Sequence, residues 1–501
     1  MASWKKIGAA FAFTSVVSAT SVVSATTALQ VCAQIQRALS PASGVFIPLA
    51  SSASPAGAAT NSIYAADNAH WFASSTQASA CTVEPATAAD VSALIKLLGQ
   101  TKTPFAVKGG GHATNPGYSS TTGVQIAMTR FNAVTYDKKS GTIVLGAGKI
   151  WDDVYTELEP LGVFVPGGRV PGIGVAGYTL GGGYNWISNQ IGLTVDIVLE
   201  YELVKPNGDI VCVTKTSNPD LFFALKGGYN NFGIVTQFTY QAFPIGKVWG
   251  GLITYGIAQT AEFNAAFSAF SAHATDPKAA LVSGYGLDPN GQPAVGNIMF
   301  YNGPTPPKGL FDAFLNIKNT SSDIGTRTLS SLVASAPQDL PAGTRGFFNT
   351  MSFFEYTPAI VNAVQNETAF WGPRVTAVEA GALAGYHMEA FESTFLSHNT
   401  TPTAWPFYRS KKFVPLQMQF TWSNPKNDDI IRGFMEQSAI HLTNVANQDG
   451  QQVQELPLYP NYGLFTSPPA RIYGSNIPRL QAIKAQVDPQ NVMGLAGGWR
   501  F

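Results

Sequence analysis

Lys108-Gly109-Gly110-Gly111-His112 sets three consecutive glycines between a short apolar strand and a histidine. Glycines let successive backbone N–H groups turn toward one anion, a nest suited to a pyrophosphate. A histidine at the lip of such a loop can attack an electrophilic carbon of a cofactor. The same residues also fit a glycine hairpin with an incidental histidine. A second glycine-dense run spans Pro166 to Gly192, where Gly172, Gly174 and Gly177 spell G-x-G-x-x-G. A dinucleotide fingerprint of that form needs a strand before it and a helix after it. Pro166 and Pro171 interrupt the strand. Gly181, Gly182 and Gly183 break the helix, at about 1 kcal/mol per glycine. Asp196 lies near the spacing of a ribose-binding acid, but the context fails. There is no G-x-S-x-G elbow, H-E-x-x-H or G-x-x-x-x-G-K-[ST], so hydrolase, zincin and P-loop chemistries lack their signatures. The six histidines are scattered without metal spacing, and no metal site is expected.

The elements around these loops are short. Val91, Leu94, Ile95 and Leu98 recur at a helical period over 88–98, with Asp90 near the start. Residues 103–108, 124–127 and 142–146 read as strands. Residues 198–205 and 209–214 read as a hairpin around Pro206-Asn207-Gly208. A short helix is expected over 221–226 and an alternating strand over 234–243. The glycine motifs stop near Pro244. Longer amphipathic pieces follow at 260–272, 309–317 and 428–446, with an apolar strand at 413–422. A last helix over 477–492 breaks at Asp488-Pro489. Strands mixed with helices throughout predict an α+β layer architecture.

Composition narrows the function. Hydrophobic residues make up 45% of the 501 positions and charged residues only 12%, against about 25% in typical globular chains. That supports a large core and argues against disorder. Thirty basic and thirty acidic residues cancel, and without a basic stripe no nucleic-acid partner is expected. After the N-terminus no apolar run reaches the ~20 residues of a membrane span. The N-terminus itself runs from Lys5 and Lys6 through apolar Ile7–Phe13 into two copies of SVVSAT, the order of a secretory signal peptide ending near residue 25. A secreted or secretory-pathway chain fits its three cysteines: Cys32 and Cys81 bracket a loose Ser/Ala/Pro/Gly arm and are expected to pair, while Cys212, in an apolar strand pattern, is expected as a buried thiol. Sequons at Asn319, Asn366 and Asn399 are candidate glycan sites in a secreted chain, and the sequence does not say which of them is used.

Three ordered motifs carry a resemblance. They are the GGGH loop with the run from Gly174 to Asp196, the segment from Asp220 through Gly227-Gly228 to Asn231-Phe232-Gly233-Ile234-Val235-Thr236, and a tail with Tyr473-Gly474-Ser475-Asn476, Arg479-Leu480 and Asp488-Pro489-Gln490-Asn491-Val492. Together they resemble the flavin-linked oxidoreductases of the vanillyl-alcohol oxidase and p-cresol methylhydroxylase superfamily, in their berberine-bridge-enzyme-like branch. The resemblance implies a two-part FAD-binding domain of the p-cresol methylhydroxylase type, over 77–247 and 466–501. An α+β substrate domain with an antiparallel sheet would fill 248–465, and residues 26–76 would be an N-terminal arm.

It also implies FAD held by Lys108, Gly109, Gly110, Gly111, Gly174, Gly177, Tyr178, Gly181, Gly182, Gly183, Gly233, Ile234, Val235 and Asn476, and bonded covalently to His112. Many relatives add a cysteine link in G-x-C-P. Here that stretch is Gly168-Arg169-Val170-Pro171, so single attachment is expected. Tyr178 stands where relatives often have histidine, and Ile472 where they often have an aromatic. A bulky residue at Ile173 can hinder oxygen. Thr403, in Thr403–Arg409, stands where plant relatives can carry the catalytic base and is no carboxylate. Tyr408 and Tyr473 remain as candidate catalytic residues, each equally readable as a packed aromatic.

The implied activity is an oxidase that takes hydride from a small, fairly apolar alcohol, amine or secondary-metabolite intermediate onto flavin N5, with molecular oxygen as acceptor. A carbohydrate oxidase, or a flavin-fold cyclase or binding protein without redox turnover, is the alternative. A monomer is expected.

Overall fold

The computed structural model describes residues 25–49, 55–273, 275–287, 293–337 and 340–501. The expected signal peptide lies outside the described residues except for Ala25.

Among the described residues the N-terminal half forms two main sheets, besides a two-stranded pairing of Val163–Phe164 with Phe243–Pro244. In the first, Cys81–Glu84, Val124–Ala127 and Phe105–Lys108 run parallel in that order, and Gly44–Phe46 adds an antiparallel edge. The edge strand belongs to the stretch expected as an arm. Helix Ala25–Ala38 precedes it and helix Pro55–Asn68 follows. Cys32 and Cys81 form the expected disulfide, which closes a loop of 49 residues in sequence. The cystines are fully buried, so the bridge fastens the first helix to the sheet core. Loop-closure entropy for that span corresponds to roughly 4 kcal/mol. Cys32→Ser is therefore expected to lower the denaturant midpoint without changing FAD uptake at low temperature. An equilibrium unfolding curve checks this, and an unchanged midpoint would remove the role.

The second sheet is antiparallel, in the order Val134–Asp137, Thr142–Gly146, Ile234–Gln241, Val198–Val204, Ile210–Thr214. The hairpin at Pro206-Asn207-Gly208 forms as read, with Gly208 at φ +86°. Cys212 differs from its expectation. It is exposed, because Ile210–Thr214 is an edge strand and the period of two that buries Val213 turns Cys212 to solvent.

The third sheet is antiparallel and eight-stranded. Its path runs from Ser321–Ser322 through Val248–Gly256, Pro293–Tyr301, Ala279–Leu287, Leu383–Ala390 and Val414–Trp422 to Arg345–Phe353, and Gly325–Arg327 pairs at the side. Helices Thr260–His273, Pro358–Val378 and Asp428–Gln448 cover one face. Alternation decides what each face sees. Tyr386, Met388, Leu416, Met418 and Phe420 are buried on the helix side, where the Tyr386 hydroxyl meets Ser438 of helix Asp428–Gln448 at 2.8 Å. His387, Glu389, Gln417, Gln419 and Thr421 point the other way, toward the first half of the chain.

The tail returns to the start. Helix Ile477–Val487 ends before Asp488. Ala496 bridges Phe105 in parallel, and the Arg500 guanidinium donates to Asn231 Oδ1 at 2.9 Å. Mixed α and β layers with antiparallel sheets are the architecture the resemblance implied.

Candidate active site

A cavity of about 1560 Å³ lies between the two halves. That exceeds the roughly 300–1,000 Å³ of a pocket for one small ligand. One wall carries Gly109–His112, Gly168–Val170, Ile173, Gly174, Gly177, Tyr178 and Gly233–Val235. Here two glycine loops touch through bare backbone. A Cβ on Gly110 would sit 2.6 Å from the Gly174 Cα, so neither position admits a side chain. The N–H groups of Gly109, Gly110, Gly111 and His112 donate no hydrogen bond within the described residues. Gly111 is buried and its three neighbours are partly so at the cavity wall, and a run of free donors facing a cavity suits an anion such as a pyrophosphate. At its lip, desolvation pushes His112 down to about 3, which keeps the imidazole neutral with a lone pair to share.

The opposite wall is the third sheet. Leu252, Val282, Ile298 and Phe348 give it an apolar floor, and His387, Glu389, Gln417 and Gln419 give it polar points. The two walls meet through one buried charge cluster. Arg169, from the loop wall, lies 2.6 Å from Glu389 Oε2. Tyr462, from the chain leading into the tail, donates to Glu389 Oε1 at 2.8 Å. Arg169 in turn donates to the Tyr462 hydroxyl at 3.1 Å. Burial works against the Arg169 charge, but the Glu389 carboxylate more than offsets it and raises the guanidinium above its ordinary value. Burial and the same carboxylate hold the Tyr462 phenol well above the usual tyrosine range, so it stays protonated. Phe348 stands between this cluster and the loop, with ring centroids 6.0 Å from Tyr462 and 6.5 Å from His112.

The structure brings Gly109, Gly110, Gly111, His112, Gly174, Gly177, Tyr178, Gly233, Ile234 and Val235 to the cavity. The others of the expected set lie behind its lining. Lys108 donates to the Ala66 carbonyl at 2.7 Å and ties the glycine loop to helix Pro55–Asn68. Gly181, Gly182 and Gly183 make room for neighbours: a Cβ on Gly182 would strike the Trp405 ring at 2.5 Å, and one on Gly181 the Asn461 amide. Asn476 donates to the carbonyls of Thr403 and Ala404. Tyr473 is fully buried against Phe501. Tyr408 is half-buried at the core edge. Tyr178 lines the cavity with its ring, while its hydroxyl lies within hydrogen-bond distance of both the Gly167 and Tyr184 carbonyls and pins the glycine-rich loop. Asp196 is fully engaged by Leu193 N, Arg409 and Asn399, so it is not free to bind a ribose. That bond also occupies the amide of the Asn399 sequon, whereas Asn319 and Asn366 are exposed.

Sequence reasoning missed Glu389, Tyr462 and Trp71. Two signals pointed to the first pair: His387 and Glu389 alternate inside an otherwise apolar strand, and Tyr459-Pro460-Asn461-Tyr462 packs aromatics around an asparagine. A cavity with a cradle of free amides at one end, a buried Arg–Glu–Tyr cluster at the other and more room than one small ligand fills fits an enzyme that holds a phosphate-bearing cofactor beside its substrate. Sequence comparison places it more closely. Residues 79–214 match the family model for an FAD binding domain, and 458–496 match that for berberine and berberine-like proteins. Over 437 residues the chain is 31% identical to the FAD-dependent monooxygenase drtC of Aspergillus calidoustus, covering 84% of this chain and 83% of that protein. Among solved structures, the wild-type BBE-like 1 protein of Physcomitrella patens superimposes with a TM-score of 0.72 at 23% identity, over 93% of this chain and 97% of that one. A glucooligosaccharide oxidase from Acremonium strictum, described with a 6-S-cysteinyl, 8α-N1-histidyl FAD, does so at 0.71 and 18%, over 86% and 93%. The chain belongs to the berberine-bridge-enzyme-like family of FAD-linked oxidoreductases and carries its FAD-binding domain.

Proposed function

We propose that this protein is an FAD-dependent oxidase of a small, fairly apolar alcohol, amine or secondary-metabolite intermediate, with the flavin attached through His112 alone. The observation that carries the reading is the Arg169–Glu389–Tyr462 cluster, set in the same cavity as the glycine cradle. Bound FAD supplies the two-electron oxidation of a substrate C–H bond, and dioxygen restores it.

The chain's own residues do the rest. The free amides of Gly109–His112 hold the pyrophosphate. Leu252, Val282, Ile298 and Phe348 seat an apolar substrate body and exclude water. Tyr462 Oη takes the substrate's proton while its own proton passes to Glu389 Oε1, so no phenolate has to form. Arg169, donating to Tyr462 and paired with Glu389, fixes both groups in place. Single attachment is supported by Val170, which stands in the G-x-C-P position and cannot form a thioether.

A panel of alcohols, amines and oligosaccharides, added anaerobically, tests the reading. The expected result is bleaching of the flavin absorbance by an apolar alcohol or amine, with peroxide equal to product once air is admitted. A relative's name favours a second outcome, monooxygenation. Label from isotopic dioxygen appearing in the product would replace the oxidase reading with that one.

Ile173 lines the cavity beside Gly168, where its branched side chain narrows the approach for oxygen. Ile173→Val should cost only about 0.5–1.5 kcal/mol of stability and speed reoxidation of the pre-reduced protein in stopped flow. An unchanged rate in a folded, fully loaded variant would clear Ile173 of that role.

A further inference from the structure

His112 has an aromatic partner that the flavin motifs do not include. The Trp71 indole stacks on the imidazole with ring centroids 4.2 Å apart and planes 11° from parallel. The Trp71 backbone N–H donates to the Gly111 carbonyl at 3.0 Å, which locks the indole to the glycine loop itself. Phe72 backs the indole at 4.2 Å, and Phe348 closes the corner 5.7 Å from it. This order is imposed from outside the loop, by the residues just ahead of strand Cys81–Glu84.

The imidazole has little else to orient it. Neither His112 ring nitrogen makes a hydrogen bond within the described residues. A functional histidine is ordinarily aimed by a hydrogen bond from its second nitrogen. Here a stacked plane takes over that task. The bare Gly172 leaves the space beside His112 Nδ1 open, since even a Cβ there would stay 3.9 Å away.

We propose that Trp71 is a positioning residue for covalent flavin attachment: its indole fixes the plane in which the His112 nitrogen lone pair meets the 8α-methyl carbon of FAD. The inference rests on the attachment at His112 proposed above. In that step one N–C bond forms, and the imidazole N–H and one methyl C–H are lost as two protons. The electron pair of the broken C–H bond stays on the ring system. Dioxygen then takes the pair with two protons and leaves as hydrogen peroxide. A nucleophile misplaced by about 1 Å loses up to 10²-fold in rate, and without the stack no hydrogen bond within the described residues holds the imidazole plane.

The test uses full-length protein made under riboflavin limitation, as wild type, Trp71→Phe, Trp71→Leu and Trp71→Ala, each then given FAD. Acid precipitation and in-gel fluorescence read the covalent fraction over time. Fluorescence quenching reads non-covalent uptake, and thermal melting reads the fold. Trp71→Leu and Trp71→Ala are expected to take up FAD as wild type does and to attach it roughly ten- to a hundred-fold more slowly. Trp71→Phe, which keeps an aromatic plane, is expected to restore most of the rate. Trp71→Leu keeps bulk in the site and decides the matter if Trp71→Ala does not fold. A Trp71→Leu protein that attaches flavin at the wild-type rate would overturn the proposal, as would Trp71→Phe being as slow as Trp71→Leu. Wild-type protein whose flavin all leaves on acid precipitation would overturn the attachment at His112 instead.

Discussion

Replacing His112 with alanine is expected to abolish covalent flavin attachment. Acid-precipitated wild type should give a yellow pellet, and acid-precipitated His112→Ala a colourless one with its flavin in the supernatant. The variant should still take up FAD, because the free amides of the Gly109–Gly111 loop do not depend on the imidazole. Peptide mapping of the wild type should find one flavin peptide, the one containing His112, with none at Val170. A flavin peptide elsewhere would defeat the assignment. The low pKa of His112, about 3, adds a pH signature to the apoprotein. Its folded value lies below the ordinary value near 6.5. The unfolded chain therefore binds a proton first as pH falls. Stability from this group is full above about 6.5 and is lost as pH drops toward 3. His112→Ala should flatten that acid limb of the unfolding curve, while above pH 7 the two proteins should behave alike in this respect.

Tyr462→Phe is expected to slow anaerobic flavin reduction by roughly 10²- to 10⁴-fold while FAD uptake and covalent attachment stay intact. The substitution removes the oxygen that receives the substrate's proton and leaves Glu389 Oε1 without its donor. Glu389→Gln should act in the same direction for a different reason. The amide cannot take up the relayed proton, and the buried Arg169 is left without its countercharge. Breaking a buried ion pair from one side typically costs about 3–5 kcal/mol. Glu389→Gln should thus lose stability as well as rate, and Tyr462→Phe mainly rate. Because the two residues form one relay, the double variant should be little slower than the worse single. Stopped-flow reduction with the substrate found by the panel, alongside denaturant unfolding, separates these effects. Full reduction rates in Tyr462→Phe would remove the proton-handling role.

Much of the flavin end was legible because its chemistry is local in sequence. The Gly109–Gly111 run and the Pro206-Asn207-Gly208 turn, with Gly208 at φ +86°, are each set by a few neighbouring residues, and a linear reading finds such runs. Elements with a clear period also appear where they were read: Val414–Trp422 as a strand, Ala88–Thr101 and Asp428–Gln448 as helices. The glycine triplet at Gly181–Gly183 shows where that reading thins. Its positions require glycine, but Gly181 and Gly182 do so because Asn461 and Trp405 press against the backbone from far along the chain. From sequence alone, close approach to a cofactor and close approach to a tryptophan leave the same mark.

Sequence by itself determined the family, the glycine cradle, the histidine at its lip, the cysteine pair and the α+β class. Each rests on residue types at short spacing or on periodicity. Only the tertiary structure decided which residues share the cavity with His112. Arg169, Glu389 and Tyr462 meet from three separate parts of the chain. Trp71 arrives from a stretch that reads as an arm. Tyr473 and Asn476, prominent in the tail motif, turn into the core and toward Thr403 instead. The physical reason is the same in every case. Side-chain proximity across the cavity is set by how two packed layers dock, and no spacing along the chain encodes that distance.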